Sequence, residues 1–227
     1  MDTSLRTKTV VEFIGVAGSG KTTLAARATE RLGDEGYRTE GRRETFRGGV
    51  AGRLGRYLYY AGYLVRHFAP LAGLFVLCRA RVRIRTIWPL FKKIVAQYKI
   101  CTSEGDVIVF DQGVVNSLLD GSSAHPQWHL FFERYARAIG IDRIGIVFIE
   151  IDPEVARSRA QTRASKGHWS ERESAEAIRE RFSLYEDNAR ALLSGASVAR
   201  LVLRGEAGIE ENVERIVSFI RRLVDEK

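Results

Sequence analysis

The residues best equipped for chemistry stand near the start of the chain. Gly15-Val16-Ala17-Gly18-Ser19-Gly20-Lys21-Thr22 keeps the spacing G-x-x-x-x-G-K-[ST] without a gap, and Thr23 follows. Glycines at those intervals let successive backbone N–H groups turn inward around a chain of phosphates, and a helix opening there adds the positive end of its dipole. In such a cradle Lys21 reaches the β- and γ-phosphates and the Thr22 hydroxyl holds Mg²⁺. The expected ligands are therefore ATP and Mg²⁺, bound through residues 15–23.

Two further groups could work with that cradle. In Val109-Phe110-Asp111-Gln112-Gly113 an apolar run ends in a carboxylate. Open α/β sheets bind ligands at their carboxyl edge, so Asp111 is expected to face the phosphates. There it would hold Mg²⁺ through water or take the proton of an attacking hydroxyl or phosphate. The plainer alternative is a turn-forming aspartate before glycine. After Asp152-Pro153, a helical stretch carries Arg157, Arg159 and Arg163 and leads into Lys166-Gly167-His168-Trp169. Arg159 and Arg163 share a helical face, and this arginine-rich lid, about residues 157–172, would neutralise charge on a transferring phosphoryl group. The competing reading is a solvated basic face partnered by Glu154.

Groups this far apart in sequence meet only if a fold gathers them. Val10, Val11, Phe13 and Ile14 form an apolar run before the glycines, and the helical pattern Leu24, Ala28, Leu32 follows them. Val107–Phe110, Ile144–Ile151 and Val198–Leu203 are further short runs rich in β-branched residues, as expected of strands covered on both faces. Steps of three or four link Ile178, Phe182, Tyr185, Ala189 and Leu192, and again Ile209, Val213, Ile216, Ile220 and Val224. Strands alternating with helices predict a parallel sheet with helices on both faces. At 227 residues and 45% hydrophobic content the chain suits one such domain with an elaboration.

With these residues in view, the chain resembles the thymidylate kinase-like branch of the P-loop nucleoside monophosphate kinase family. The resemblance rests on the glycine-rich loop, on Arg42-Arg43-Glu44 after the expected second strand, on Asp111 and on the arginines from Arg157. It extends to the tail, where Leu203-Arg204-Gly205-Glu206 and the Ile209 helix resemble the family's last strand, adenine-contacting loop and closing helix. It implies a three-layer α/β P-loop NTPase fold, a central parallel sheet flanked by helices, with an arginine-rich lid and a long helical segment on the acceptor side. It also implies an ATP-dependent phosphotransferase in which Lys21, Asp111, Arg157, Arg159 and Arg163 are catalytic and Thr22 and Asp111 manage the metal. Arg43, Glu44, Gln112, Phe75, Arg79 and Arg83 are then the acceptor-side candidates, the acceptor being a nucleoside monophosphate such as dTMP or a related small anion. Two departures bear on that acceptor. Gln112 stands where the family has an arginine, and Thr45-Phe46-Arg47 replaces its Pro-Gly-Gly, so an acceptor other than dTMP is open.

The net charge of +8 is local. Residues 47–103 hold eleven of the 36 basic residues and none of the 28 acidic ones, so the rest of the chain is slightly acidic. This aromatic and basic stretch reads as two or three helices divided near Pro70 and bent at Pro89. Arg66, His67 and Pro70 speak against a membrane-spanning helix. The segment fits core and acceptor-site helices, or a helix docking on an anionic membrane or a protein partner with Tyr57, Tyr59, Tyr60 and Tyr63 on one side. Scattered arginines with no recognised module give no specific nucleic-acid reading. His67, His125, His129 and His168 make no ligand spacing with Cys78 and Cys101, and two cysteines build no disulfide framework, so a cytoplasmic protein is expected. The rival to a kinase is a nucleotide-dependent ATPase or regulatory protein that docks through residues 47–103. A homodimer is left open.

Overall fold

The apolar runs become strands because their alternate residues meet two different helical layers. β1 (Thr9–Ile14), β2 (Thr39–Gly41), β3 (Val107–Phe110), β4 (Arg143–Glu150) and β5 (Ala199–Arg204) form one sheet in the order β2-β3-β1-β4-β5. Every pairing is parallel, with Val10 beside Ile108 on one side and Ile144 on the other. The computed structural model describes residues 8–41, 61–66, 72–73, 84–101, 105–119, 128–141, 143–162, 175–195 and 198–225. Its helices include α1 (Lys21–Asp34), α2 (Ile84–Cys101), α3 (Val114–Leu119), α4 (Trp128–Ile139), α5 (Pro153–Thr162), α6 (Ala175–Gly195) and α7 (Ile209–Asp225).

Odd and even positions of β1 part company. Val11 and Phe13 join Val109, Val147 and Ile149 against Leu24, Ala28 and Leu32 of α1 and Val213, Ile216 and Ile220 of α7. Val10 and Ile14 join Ile108, Ile146 and Phe148 against α2, α3, α4 and α6, through Ile94, Val115, Phe131, Tyr135, Tyr185 and Ala189. Each buried aliphatic or aromatic side chain contributes roughly 1.5–3 kcal/mol, so a strand apolar on both faces is stable only between two layers. This is the three-layer α/β architecture of P-loop NTPases.

The strand order also decides where a ligand can sit. β1 has β3 on one side and β4 on the other, so the connections after β1 and β3 diverge and leave a crevice at their carboxyl ends.

Within the basic segment, residues 61–66 and α2 are helical, and α2 continues through Pro89. Tyr63 belongs to the core rather than to an exposed aromatic stripe. It is buried, its hydroxyl donates to the Ala138 carbonyl at 2.6 Å, and its ring lies 4.7 Å from that of Tyr98. Tyr57, Tyr59 and Tyr60 lie outside the described residues. No helix among the described residues is long and apolar enough to cross a membrane.

Candidate functional site

The phosphate loop leaves β1 at Ile14 and enters α1 at Lys21. Gly18 and Gly20 take φ values of +85° and +94°, the left-handed region that a side chain disfavours. At Gly18 space forbids a side chain as well, because a Cβ there would collide with the Ala156 carbonyl of α5. The tip of the loop is thus seated on the helix that carries Arg157 and Arg159. Ser19 N–H closes a turn onto the Val16 carbonyl at 3.2 Å, and Leu24 N–H bonds to Gly20 O at 3.0 Å. No side chain caps the start of α1 at Gly20, which leaves its first N–H groups to the loop. Lys21 is buried, and its ammonium donates to the carbonyls of Gly15 at 2.5 Å and Val16 at 2.7 Å. The cation therefore sits inside the turn of Gly15, Val16, Ala17, Gly18, Ser19 and Gly20, with Thr22 and Thr23 on the first turn of α1.

Asp111 arrives from the neighbouring strand. Glu12 and Phe110 are register partners, so Asp111, the residue after Phe110, stands level with Phe13, two residues before the loop begins at Gly15. The Thr22 hydroxyl donates to Asp111 Oδ2 at 2.9 Å, and Asp111 is 8% exposed. Two oxygen donors 89 residues apart in sequence are thereby brought to one point at the mouth of the loop. A hydroxyl beside a carboxylate suits Mg²⁺, which takes a few protein oxygens and fills its octahedron with phosphate and water. Among the described residues no three His, Cys, Asp or Glu side chains gather into a metal site.

Below the turn after Asp111 lies a group that the sequence reading passed over. Glu12 is fully buried in β1 and accepts from Asn116 N–H at 2.9 Å, at the start of α3. A Cβ on Gly113 would collide with its carboxyl group, so glycine at 113 lets the Asp111–Gly113 turn lie directly over Glu12. Burial pushes the Glu12 carboxyl up to about 7, opposed by the Asn116 and Val115 amides, the Lys93 ammonium and Gln97. The Tyr135 hydroxyl lies 3.5 Å from Glu12 Oε2 and 2.5 Å from Gln97 Oε1. Lys93 Nζ donates to Ser117 Oγ at 2.5 Å and to the Gly113 carbonyl at 3.3 Å. A carboxylate inside an unbroken apolar run was the available signal, because a strand buried on both faces gives it no water.

Arg157 and Arg159 are engaged with the protein. Arg157 pairs with Glu154 at 2.9 Å, and Arg179 takes the other oxygen of the same carboxylate at 2.6 Å. Hydrogen bonds from Arg179 and Arg157 hold the Glu154 carboxyl below its ordinary range. Arg157 thus adopts the Glu154 partnership of a solvated helix face. Arg159 donates to the Gly205 carbonyl at 3.0 Å, which ties α5 to the turn after β5. Glu206 of that turn accepts from Asp152 N–H at 2.7 Å, and Asp152 Oδ1 caps α5 through the amides of Glu154 and Val155. Gln112 is exposed beside Asp111. Arg163, Arg43, Glu44, Phe75, Arg79 and Arg83 lie outside the described residues.

The sheet order, the glycine loop between β1 and α1, and the carboxylate at the end of β3 define a P-loop NTPase fold. The solved structures that share it include deoxyadenosine kinase from M. mycoides with bound dCTP, at a TM-score of 0.52 and 14% identity over 94% of this chain and 99% of that one. The same enzyme with products dCMP and a flexible dCDP bound matches at a TM-score of 0.54 and 15% identity over the same shares. No protein-family model matches the chain, and no curated protein matches it. At these identities the likeness fixes the fold and leaves the thymidylate kinase-like branch open.

Proposed function

We propose that this protein is a Mg²⁺-dependent kinase that transfers the γ-phosphoryl group of ATP to a nucleoside, a nucleoside monophosphate such as dTMP, or a related small anion. The observation that carries the proposal is the 2.9 Å contact between Thr22 and Asp111 at the mouth of the phosphate loop. A loop hydroxyl and a second-strand carboxylate hold Mg²⁺ in hydrolysing P-loop proteins too, so the pair supports Mg²⁺-nucleotide phosphoryl transfer and the acceptor assay below decides between an acceptor and water. A loop that transfers phosphoryl groups needs oxygen ligands beside the γ-phosphate and a group to steer the incoming nucleophile. In this reading the loop amides and Lys21 hold the β- and γ-phosphates, Thr22 and Asp111 would hold the metal, and Asp111 orients or deprotonates the acceptor. Bound Mg²⁺ would neutralise charge on the phosphate oxygens. Arg159 and Arg163 would add to that neutralisation once Arg159 exchanges the Gly205 carbonyl for phosphate.

Catalysis is then mostly positioning and electrostatics, because little covalent work falls to the protein. The acceptor would lie over the carboxyl edge of β3, beside Asp111 and Gln112, with Arg43, Glu44 and residues 47–103 as its further surroundings. The neutral Gln112 favours an acceptor with less negative charge at that position than dTMP, and the M. mycoides enzyme, by its name a deoxyadenosine kinase, adds nucleosides to the candidates. We take residues 1–227 as one cytoplasmic kinase domain with its lid at about 157–172.

The test is ATP consumption with Mg²⁺ against deoxynucleosides, nucleoside monophosphates, sugars and polyprenyl alcohols, following ADP and phosphorylated product together. One acceptor that gains phosphate well above the water background establishes the activity. Equal ADP release with every acceptor and no modified product would replace the kinase by an ATPase docking through residues 47–103.

A further inference from the structure

The phosphate loop, α3 and α6 meet at one hydroxyl group. Gly15 N–H, the first of the phosphate loop, donates to Tyr185 Oη at 2.7 Å, and the Tyr185 hydroxyl donates in turn to Asn116 Oδ1 at 2.7 Å. The directions are fixed by chemistry: an amide N–H can only donate, so the tyrosine oxygen receives it and sends its proton on to the carboxamide oxygen. Asn116 is itself held from below, its backbone N–H donating to Glu12. α3, to which Asn116 belongs, begins one residue after the Asp111-Gln112-Gly113 turn. Tyr185 comes from α6 and is buried, with 3% exposure.

We infer that Tyr185 is a positioning residue that sets the distance between the phosphate loop and the Asp111 turn, and so the geometry of the Thr22–Asp111 pair. This deepens the kinase reading and rests on it. The loop and the turn end neighbouring strands, yet beyond the last paired residues no ladder bond joins them. The Thr22–Asp111 bond spans the gap at the mouth, and the Gly15–Tyr185–Asn116 chain spans it at the base. With both in place the two oxygens meant for Mg²⁺ keep a fixed separation before the metal arrives. Removing the base link leaves Gly15 N–H and Asn116 Oδ1 without this partner, and each segment is then free to settle separately.

The test uses the full-length protein and fluorescent mant-ATP binding, measured in EDTA and across a Mg²⁺ titration, with melting temperature recorded alongside. Tyr185→Phe deletes only the hydroxyl group. Asn116→Ala removes the acceptor while keeping the backbone bond to Glu12, and serves if Tyr185→Phe does not fold. The expected result is that each variant needs about five-fold more Mg²⁺ for half-maximal response, the loss of one hydrogen bond. Affinity in EDTA should change by less than about two-fold, and the double variant should be no worse than either single one, because both break the same chain. A Tyr185→Phe protein with the wild-type Mg²⁺ response, or single effects that add fully in the double variant, overturns the inference. A wild-type protein whose mant-ATP binding does not respond to Mg²⁺ overturns the kinase reading itself, and that outcome is visible in the wild-type arm alone.

Discussion

Replacing Glu12 by glutamine should make the protein more stable at neutral pH and erase part of its pH dependence. The carboxyl group is fully buried, and its pKa rises from 4.5 to about 7 in the fold. The sign follows from linkage. Below about pH 4.5 the group is protonated in both folded and unfolded chains and contributes no difference. As pH climbs from there to about 7, the unfolded chain gives up its proton while the folded chain keeps it, so stability falls; above about 7 both are ionised and the loss is complete. A rise of that size corresponds to on the order of 3 kcal/mol. The groups that face Glu12 and set this value are Lys93 and Gln97 from α2, the Asn116 and Val115 amides from α3, and Tyr135 from α4. Glutamine keeps the shape and one acceptor oxygen for Asn116 N–H but carries no charge to desolvate. Urea unfolding of both proteins at intervals between about pH 4.5 and pH 8.5 gives the difference directly, since every other titrating group is common to the two. The Glu12→Gln advantage should grow by roughly 2–3 kcal/mol across that range and level off at its upper end. A difference that stays flat with pH would show that Glu12 does not titrate in the folded chain as its burial requires, and the reasoning would be refuted.

Lys21→Ala should lower ATP turnover by more than about a hundred-fold, since it removes the cation inside the loop; coupled ADP release measures it. Asp111→Asn should abolish turnover while mant-ATP still binds in EDTA within about two-fold of wild type, and near-normal turnover would sink the role given to that carboxylate. Gly18→Ala places a methyl group against the Ala156 carbonyl at φ +85°, so it should cost about 2 kcal/mol or more in chemical unfolding and weaken ATP binding together.

The phosphate loop could be read from the chain because its function lies in backbone geometry, and backbone geometry of that kind imposes glycine at fixed local intervals. Asp111 was legible for a related reason: a carboxylate closing a buried strand can point only toward the edge of the sheet. What stayed hidden depended on convergence from distant places. Glu12 meets partners at 93, 97, 116 and 135, and no local pattern announces that meeting. Tyr185 was placed correctly as one step in an apolar helical period, yet periodicity registers the ring and is blind to the hydroxyl at its tip. Tyr63 reads either as core or as part of a docking face with its neighbouring tyrosines, and the fold places it in the core. For Arg157 the nearby Glu154 was already visible as an alternative partner, and the folded chain takes it.

The fit of Gly113 over Glu12 sets an order on how this sequence can change. A side chain at 113 must displace the carboxyl group while residue 12 is glutamate, and that carboxyl group is fully buried. A smaller residue at 12 meets no such obstacle from glycine and frees the space above it. The lower-cost order at this pair is therefore for position 12 to shrink first and position 113 to gain a side chain afterwards. Among descendants of this chain, a residue other than glycine at 113 should be found mainly beside a position 12 that has already lost its carboxylate.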